Sequence, residues 1–198
     1  MTAADGVRVI IVTDGDISAQ QAVQAASLKL GLYPLMITGG NPTRISGAKA
    51  LDYILKTPYD PVVVMVDDKG KKGMGPGENV LDTILKDQRL MVLGVVAVAS
   101  DTRVRGVAVD KSVTCDLRVV DAPVDKNGCE EEEGHHRLEG DTIEILRHHP
   151  ELFIVGCGDL GKMEGRDSIA HGARITEQCF REILKQACEG KEFNTEGR

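Results

Sequence analysis

Aromatic side chains are scarce in this chain of 198 residues, which has no tryptophan, three phenylalanines and three tyrosines. Its core must therefore be aliphatic, and few rings are available for bases to stack on, which argues against single-stranded nucleic acid as a ligand. A formal net charge of −7 at pH 7 also argues against a generally basic, phosphate-binding surface. We predict that nucleic acid is not a partner.

Long apolar segments are missing as well. The best candidate, Leu90 to Ala99, is about half the length that a membrane-spanning helix needs. The start of the chain, MTAADGVRV, lacks the basic residues and apolar centre of a signal peptide. The five cysteines are odd in number and show no paired spacing, which is typical of reduced thiols. These absences predict a soluble protein without a signal peptide.

Apolar runs alternate with helical patterns through the first half of the chain. Strands that are apolar throughout and separated by helices indicate a parallel sheet covered on both faces. We predict an α/β fold, a doubly wound, mainly parallel three-layer sheet of Rossmann-like or Toprim-like type with an added edge strand or hairpin. The predicted strands are Val7 to Val12, Tyr33 to Ile37, Val62 to Val66, Met91 to Ala99 and Leu152 to Val155.

The predicted domain is a single unit, residues 1–188. Residues 101–140 form an insertion of edge strand or hairpin and polar loop, and residues 189–198 form a frayed tail. Alternation from Val113 to Val119 predicts a strand with one solvated face. Asp141 lies three residues before Glu144, the spacing of a capping box for a short helix ending near His149.

Acidic residues follow three of the predicted strands. Asp14 and Asp16 follow the first, Asp67 and Asp68 the third, and Asp159 the last. Ligands of open parallel sheets bind at these strand ends, so a magnesium site formed by Asp14, Asp67 and Asp159 is one hypothesis. The alternative is that Asp is simply common in strand-to-helix turns, where it also caps helices.

Two enzyme patterns match these acids in part. The Asp14-x-Asp16 spacing in VTDGDIS resembles haloacid-dehalogenase-type phosphatases, in which the first carboxylate attacks phosphorus and the second handles the proton. Toprim domains carry acids after the first and third strands, but with a glutamate first and then Asp-x-Asp. Asp67 and Asp68 are adjacent instead, and adjacent residues leaving a strand point to opposite sides. They fit one metal ion poorly.

Glycine-rich loops offer a second kind of site. In MVDDKGKKGMGPGENV, three lysines (Lys69, Lys71 and Lys72) precede a helix start that contains Gly75 and Gly77. Backbone N–H groups at such a start favour anions, although an ordinary solvated loop is the alternative. Closely spaced glycines also surround Lys162 in VGCGDLGKM, and this loop is a further candidate for an anion.

A series of distinctive short segments lies along almost the whole chain. They are VIIVTDGD, GGNPTRISG, DPVVVMVDDKG with GMGPGE, VLGVVAVASDT, VDKNG, LEGDTIEIL and FIVGCGDLGKMEGRD. From Val9 to about Leu184 the chain resembles the soluble form of stage V sporulation protein AE, a subunit of the SpoVA complex of spore-forming bacteria. The acidic insert at Glu130 to Glu133 and the C-terminal tail depart from that pattern.

The resemblance implies a soluble, non-enzymatic subunit, peripheral to the spore inner membrane. The complex takes up dipicolinic acid, chelated with calcium, in sporulation and releases it in germination. The partners it implies are other subunits of the SpoVA complex, with dipicolinate or its calcium chelate and a second copy of the chain left open. No cofactor is implied, and magnesium stays open.

Two hypotheses therefore stand. In the first, cations at the strand ends bind the carboxylates of dipicolinate through charge-assisted hydrogen bonds. The residues concerned are Arg44, Lys69, Lys71, Lys72 and Lys162. In the second, the chain is a magnesium-dependent phosphoryl-transfer enzyme, Toprim-like or haloacid-dehalogenase-like, that uses the strand-end aspartates.

Overall fold

The computed structural model describes residues 6–102, 104–132 and 134–195, with side chains as far as Glu189. Its strands are β1 (Val7–Val12), β2 (Tyr33–Pro34), β3 (Val62–Met65), β4 (Leu90–Val98), β5 (Lys111–Val113), β6 (Val119–Val120) and β7 (Ile154–Cys157). Its α-helices are α1 (Ile17–Lys29), α2 (Gly47–Lys56), α3 (Pro76–Lys86) and α4 (Arg174–Thr195).

All seven strands belong to one sheet, in the order β2-β3-β1-β4-β7-β5-β6. Every neighbouring pair is parallel except β5 and β6, which are antiparallel. The central strands are buried on both faces, as their continuous valine and isoleucine runs predict. The α/β three-layer fold with a hairpin at the sheet edge is confirmed.

Alternate side chains of β1 serve two separate cores. Val9 and Ile11 pack in the cluster that contains the apolar residues of α2 and α3. Ile10 and Val12 pack in the cluster that contains those of α1 and α4, including the fully buried Phe180. The helices therefore cover the sheet in two pairs, one pair on each face.

Helix starts follow local capping rules. The Asp16 carboxylate accepts a hydrogen bond of 3.0 Å from the backbone N–H of Ala19 and so caps α1. Ser46 caps α2 in the same way, as predicted, through the N–H of Lys49 at 3.3 Å. None of the helices in the described ranges combines the length and the apolar composition that crossing a bilayer requires.

Several sequence-based predictions differ from the structure. The continuous strand predicted through residues 113–119 is wrong, because the chain turns between β5 and β6. Thr114 and Arg118 close this turn with a backbone hydrogen bond of 2.9 Å, and Leu117 takes a left-handed φ of 68°. The second predicted strand is shorter than expected and passes into a 3₁₀ helix over Met36–Thr38.

The C-terminal half brings two more differences. The helix predicted after Asp141 is a 3₁₀ helix over Glu144–His148 without a capping side chain at its N-cap position. A buried glutamate from α3, Glu78, accepts hydrogen bonds from the N–H groups of Glu144 and Ile145 instead. In addition, α4 extends to Thr195, into the segment predicted to fray.

The strand order creates a crevice at the end of β1. After β1 the chain moves to β2 and β3 on one side of it, then crosses to β4 on the other side. The segments that follow β1 and β4 therefore lead in opposite directions along the sheet from the carboxyl ends of these two strands. Open α/β sheets bind ligands at such a switch point.

Candidate functional site

An open pocket of about 390 Å³ lies at this switch point. Its floor contains Thr13 and Asp14 at the end of β1 and Val98 to Ser100 at the end of β4. Acidic side chains outnumber basic ones around it. The acids are Asp14, Asp16, Asp67, Asp101, Asp141, Asp159 and Glu164, and the bases are Lys126 and Lys162.

Asp14 is one of the buried acids of this group, with 8 % of its surface exposed. One of its oxygens accepts a hydrogen bond of 3.2 Å from the N–H of Asp16. Burial, followed by repulsion from Asp16 and other acids, raises its pKa to about 8. No lysine or arginine in the described part of the chain forms an ion pair with it. The Asp14 carboxylate is therefore held mainly in its protonated form at neutral pH.

Lys162 neutralises the two acids beside Asp14. Its ammonium Nζ lies 2.6 Å from Asp16 and 2.9 Å from Asp159. Burial lowers the pKa of Lys162, but the hydrogen bonds to both carboxylates outweigh this effect and raise it. Burial raises the pKa of the Asp16 carboxyl. Lys162 and the N–H groups at the start of α1 lower it by more, so the pKa is below its ordinary value. The predicted anion-binding lysine is thus already paired within the chain.

Asp67 and Asp68 point apart, as adjacent residues at a strand end should. Asp67 faces the pocket and accepts hydrogen bonds from the N–H groups of Gly15 at 3.1 Å and Lys69 at 2.6 Å. Burial and the charge of Asp141 raise its pKa to about 6, against these hydrogen bonds. Asp68 turns to the opposite side and caps α3 through the N–H groups of Gly77 at 2.7 Å and Glu78 at 3.0 Å.

Carboxylates of the chain itself occupy the glycine-rich loop after β3. The Asp68 carboxylate binds the N–H groups at the start of α3, where the sequence predicted an external anion. The carboxylates of Asp141 and Glu144 accept hydrogen bonds from the N–H groups of Gly70 and Gly73. An external anion would have to displace these side chains. A Cβ atom on Gly77 would lie 2.6 Å from the backbone nitrogen of Asp67, so close approach of the backbones accounts for this glycine.

The five cations of the dipicolinate hypothesis do not meet in one place. Lys69, Lys71 and Lys72 are exposed and lie outside the lining of the pocket. Arg44 lines a different hollow beside Gly15, Ser18 and Gly40. Only Lys162 lies in the acidic pocket, so the pocket has little free positive charge to offer a dianion.

Three acids could hold a hard cation. Asp14, Asp16 and Asp159 each place one carboxylate oxygen within 4.8 Å of the others. Asp67, which the sequence placed in this set, lines the same pocket at the end of the neighbouring strand β3. Because all these donors are carboxylate oxygens, the residues suit calcium or magnesium rather than softer metals. A cation here would compete with Lys162 for Asp16 and Asp159.

Asp141 is one of the pocket residues that sequence reasoning missed, as are Asp101, Lys126 and Glu164. Its spacing to Glu144 favoured a helix cap, whereas its carboxylate accepts from Gly70 and lines the pocket. Its pKa is raised by burial first, and also by repulsion from Asp68 and Asp159. No local pattern marks this role, because Gly70 and Asp141 meet only in the folded chain.

Comparison with protein families matches most of the chain to a family model. The family described as stage V sporulation protein AE1 (SpoVAE) matches residues 8–187. No curated protein and no solved structure gives a significant match.

Proposed function

This chain belongs to the stage V sporulation protein AE1 family, and from that premise we propose that it is a non-catalytic subunit through which the SpoVA complex handles dipicolinic acid. Family membership makes it a sporulation-related SpoVA subunit. The proposal adds dipicolinate uptake in sporulation and release in germination. It also adds a peripheral position at the spore inner membrane, where attachment runs through other subunits.

The pocket chemistry favours one form of the ligand. Free dipicolinate is a dianion, and acids without cationic partners would repel it. The calcium chelate presents its metal ion, which takes six to eight oxygen ligands, some from the chelator and the rest from carboxylates or water. The buried Asp14 carboxylate, with no cationic partner among the described residues, is the observation that carries this proposal. A calcium ion would stabilise its ionised form.

Titration calorimetry at pH 7 tests this proposal with three ligands: calcium ion, dipicolinate, and an equimolar mixture. We expect heat from calcium and from the mixture, and none from dipicolinate alone. Because Asp14 loses its proton when a cation binds, the measured heat should also depend on the ionisation enthalpy of the buffer. Asp14→Asn should weaken binding by roughly tenfold or more, equivalent to about 1.4 kcal/mol.

Asp82→Asn is the matched control, because Asp82 pairs with Lys86 on the surface of α3 at 2.7 Å and lies outside the pocket. This variant should bind like the unmodified protein. Two results would contradict the proposal: binding of dipicolinate in the absence of calcium, or no binding of either calcium ion or the equimolar mixture.

A magnesium-dependent phosphoryl-transfer enzyme is the second candidate. The convergence of Asp14, Asp16 and Asp159 favours a haloacid-dehalogenase-like arrangement over a Toprim-like one, since Asp68 turns away from the pocket. Asp14 must be ionised to act as a nucleophile. Because its pKa is raised, the phosphoryl-transfer reaction would need a bound cation that favours the ionised carboxylate. We expect a screen of phosphate esters with magnesium to give turnover that Asp14→Asn abolishes if this candidate is right. No turnover on any ester would eliminate it.

A further inference from the structure

Two cysteines meet beside the pocket although fourteen positions separate them in the sequence. Cys115 lies in the turn between β5 and β6, and Cys129 follows Gly128 in the next turn. The N–H of Cys115 donates to the carbonyl of Gly128 at 2.8 Å. A Cβ atom on Gly128 would lie 3.0 Å from the Cβ of Cys115. Burial first, and then the charge of Asp125 and the neighbouring Cys115 thiol, raise the pKa of Cys129.

A positive charge accompanies this pair. A guanidinium nitrogen of Arg166 lies 3.0 Å from the sulfur of Cys115. Thiolate is the form of cysteine that attacks disulfides, and nearby cations promote its reactivity. Arg166 thus compensates the charge that the Cys115 sulfur carries during exchange.

Accessibility separates this pair from the other thiols. Cys129 is exposed and Cys115 is half-buried, whereas Cys157 and Cys179 are buried in the core under α4. Cys188 is exposed on α4 and is far along the chain from the other exposed thiol. A reagent in solution can therefore reach Cys115 and Cys129, and each has a partner thiol within reach of exchange.

We propose that Cys115 and Cys129 form a reversible disulfide, made by exchange with a low-molecular-weight disulfide. The Cys115 thiolate attacks one sulfur of the reagent, forms a mixed disulfide and releases one thiolate. The Cys129 thiolate then attacks the Cys115 sulfur, forms the internal disulfide and releases the second thiolate. The protein loses two thiol protons and two electrons, and the reagent is reduced to two thiols.

This bond would fix one wall of the acidic pocket. The turn that ends at Cys129 contains Lys126 and Asn127, which line the pocket. The carbonyl of Lys126 accepts a hydrogen bond of 2.8 Å from the N–H of Asp159. Oxidation would therefore join the β5–β6 turn to the segment that supports Asp159.

Glutathione disulfide is the probe that tests this inference on the full-length protein. After incubation, we expect the internal disulfide to remove two of the five free thiols in a titration in denaturant, and a glutathione adduct on the exposed Cys188 to remove one more. Peptide mass spectrometry without reductant should show the peptides of Cys115 and Cys129 joined, with the loss of two hydrogens. Hydrogen exchange at the amides of Cys115 and Asp159 should slow on oxidation and recover on reduction.

Single substitutions separate this outcome from general oxidation. Cys115→Ser and Cys129→Ser should each stop at a glutathione adduct on the remaining cysteine. Cys188→Ser should still form the internal disulfide. Glutathione adducts on Cys188 without any link between Cys115 and Cys129 would overturn the inference, as would a link that joins two molecules. Neither result depends on whether the pocket binds calcium or dipicolinate.

Discussion

Asp14→Asn should make the protein more stable at pH 9 and leave its stability almost unchanged near pH 3. The Asp14 pKa is about 8 in the folded chain and near 4 when unfolded. Between these values the folded state binds a proton that the unfolded state has released, so stability falls as pH rises. The full loss, on the order of 5 kcal/mol, is reached above pH 8. Asparagine carries no ionisable group, so Asp14→Asn avoids this loss of stability.

Urea unfolding at pH 5, 7 and 9 measures this difference. Asp16→Asn is the control of opposite sign, because the Asp16 pKa is lowered. The ionised Asp16 carboxylate stabilises the fold at pH values above its unfolded pKa. This stabilisation is lost as pH falls through its folded pKa. Asp16→Asn removes the charge and should therefore be less stable than the unmodified protein at neutral pH. Parallel pH profiles for Asp14→Asn and the unmodified protein would refute the prediction. Calcium at pH 9 should stabilise the unmodified protein more than Asp14→Asn, because the variant binds calcium more weakly.

Asp167→Ala should destabilise the protein by about 4 kcal/mol, because several buried donors would lose their acceptor. Asp167 is fully buried. Its carboxylate accepts from the N–H groups of Ile175 at 2.9 Å and Thr176 at 3.0 Å, at the start of α4. It also accepts from the Thr176 hydroxyl at 2.6 Å and from the N–H of Gly161 at 2.9 Å. This one side chain thus joins the Asp159–Lys162 loop to α4.

The midpoint of urea unfolding reports this effect. Asp159→Ala is the matched control in the same loop, because its ion pair with the half-exposed Lys162 is partly solvated. We expect this control to lose less than about 1 kcal/mol. An equal loss for the two variants would mean that Asp167 does not hold the loop to the helix as described.

Much of the fold follows from local pattern. The runs in β1, β3 and β4 are apolar throughout, and burial between two helix layers requires that composition. Ser46 and Asp16 mark helix starts by short-range chemistry that a sequence displays. The β5–β6 turn was missed because Val113 to Val119 keeps the period of a strand, while the reversal depends on Thr114 and on a left-handed Leu117. No glycine signals that turn.

The site was predictable at its strand ends and not beyond them. Asp14 and Asp159 could be assigned to the pocket because parallel strands end at a common edge. The roles of Asp141, Glu78 and Asp167 depend on hydrogen bonds to distant segments. The predicted anion loop has the right composition for its chemistry, but the anions are the chain's own carboxylates. Sequence spacing carries no information about such long-range partners.

Both borders of the sheet are only two residues long, β2 at one side and β6 at the other. One of the two residues of β2 is Pro34, which has no N–H to donate. A strand added from another chain would find very few hydrogen bonds at either border, so the sheet resists self-association and β-augmentation. Assembly into a larger complex must therefore bury helix or loop surface instead of extending the sheet.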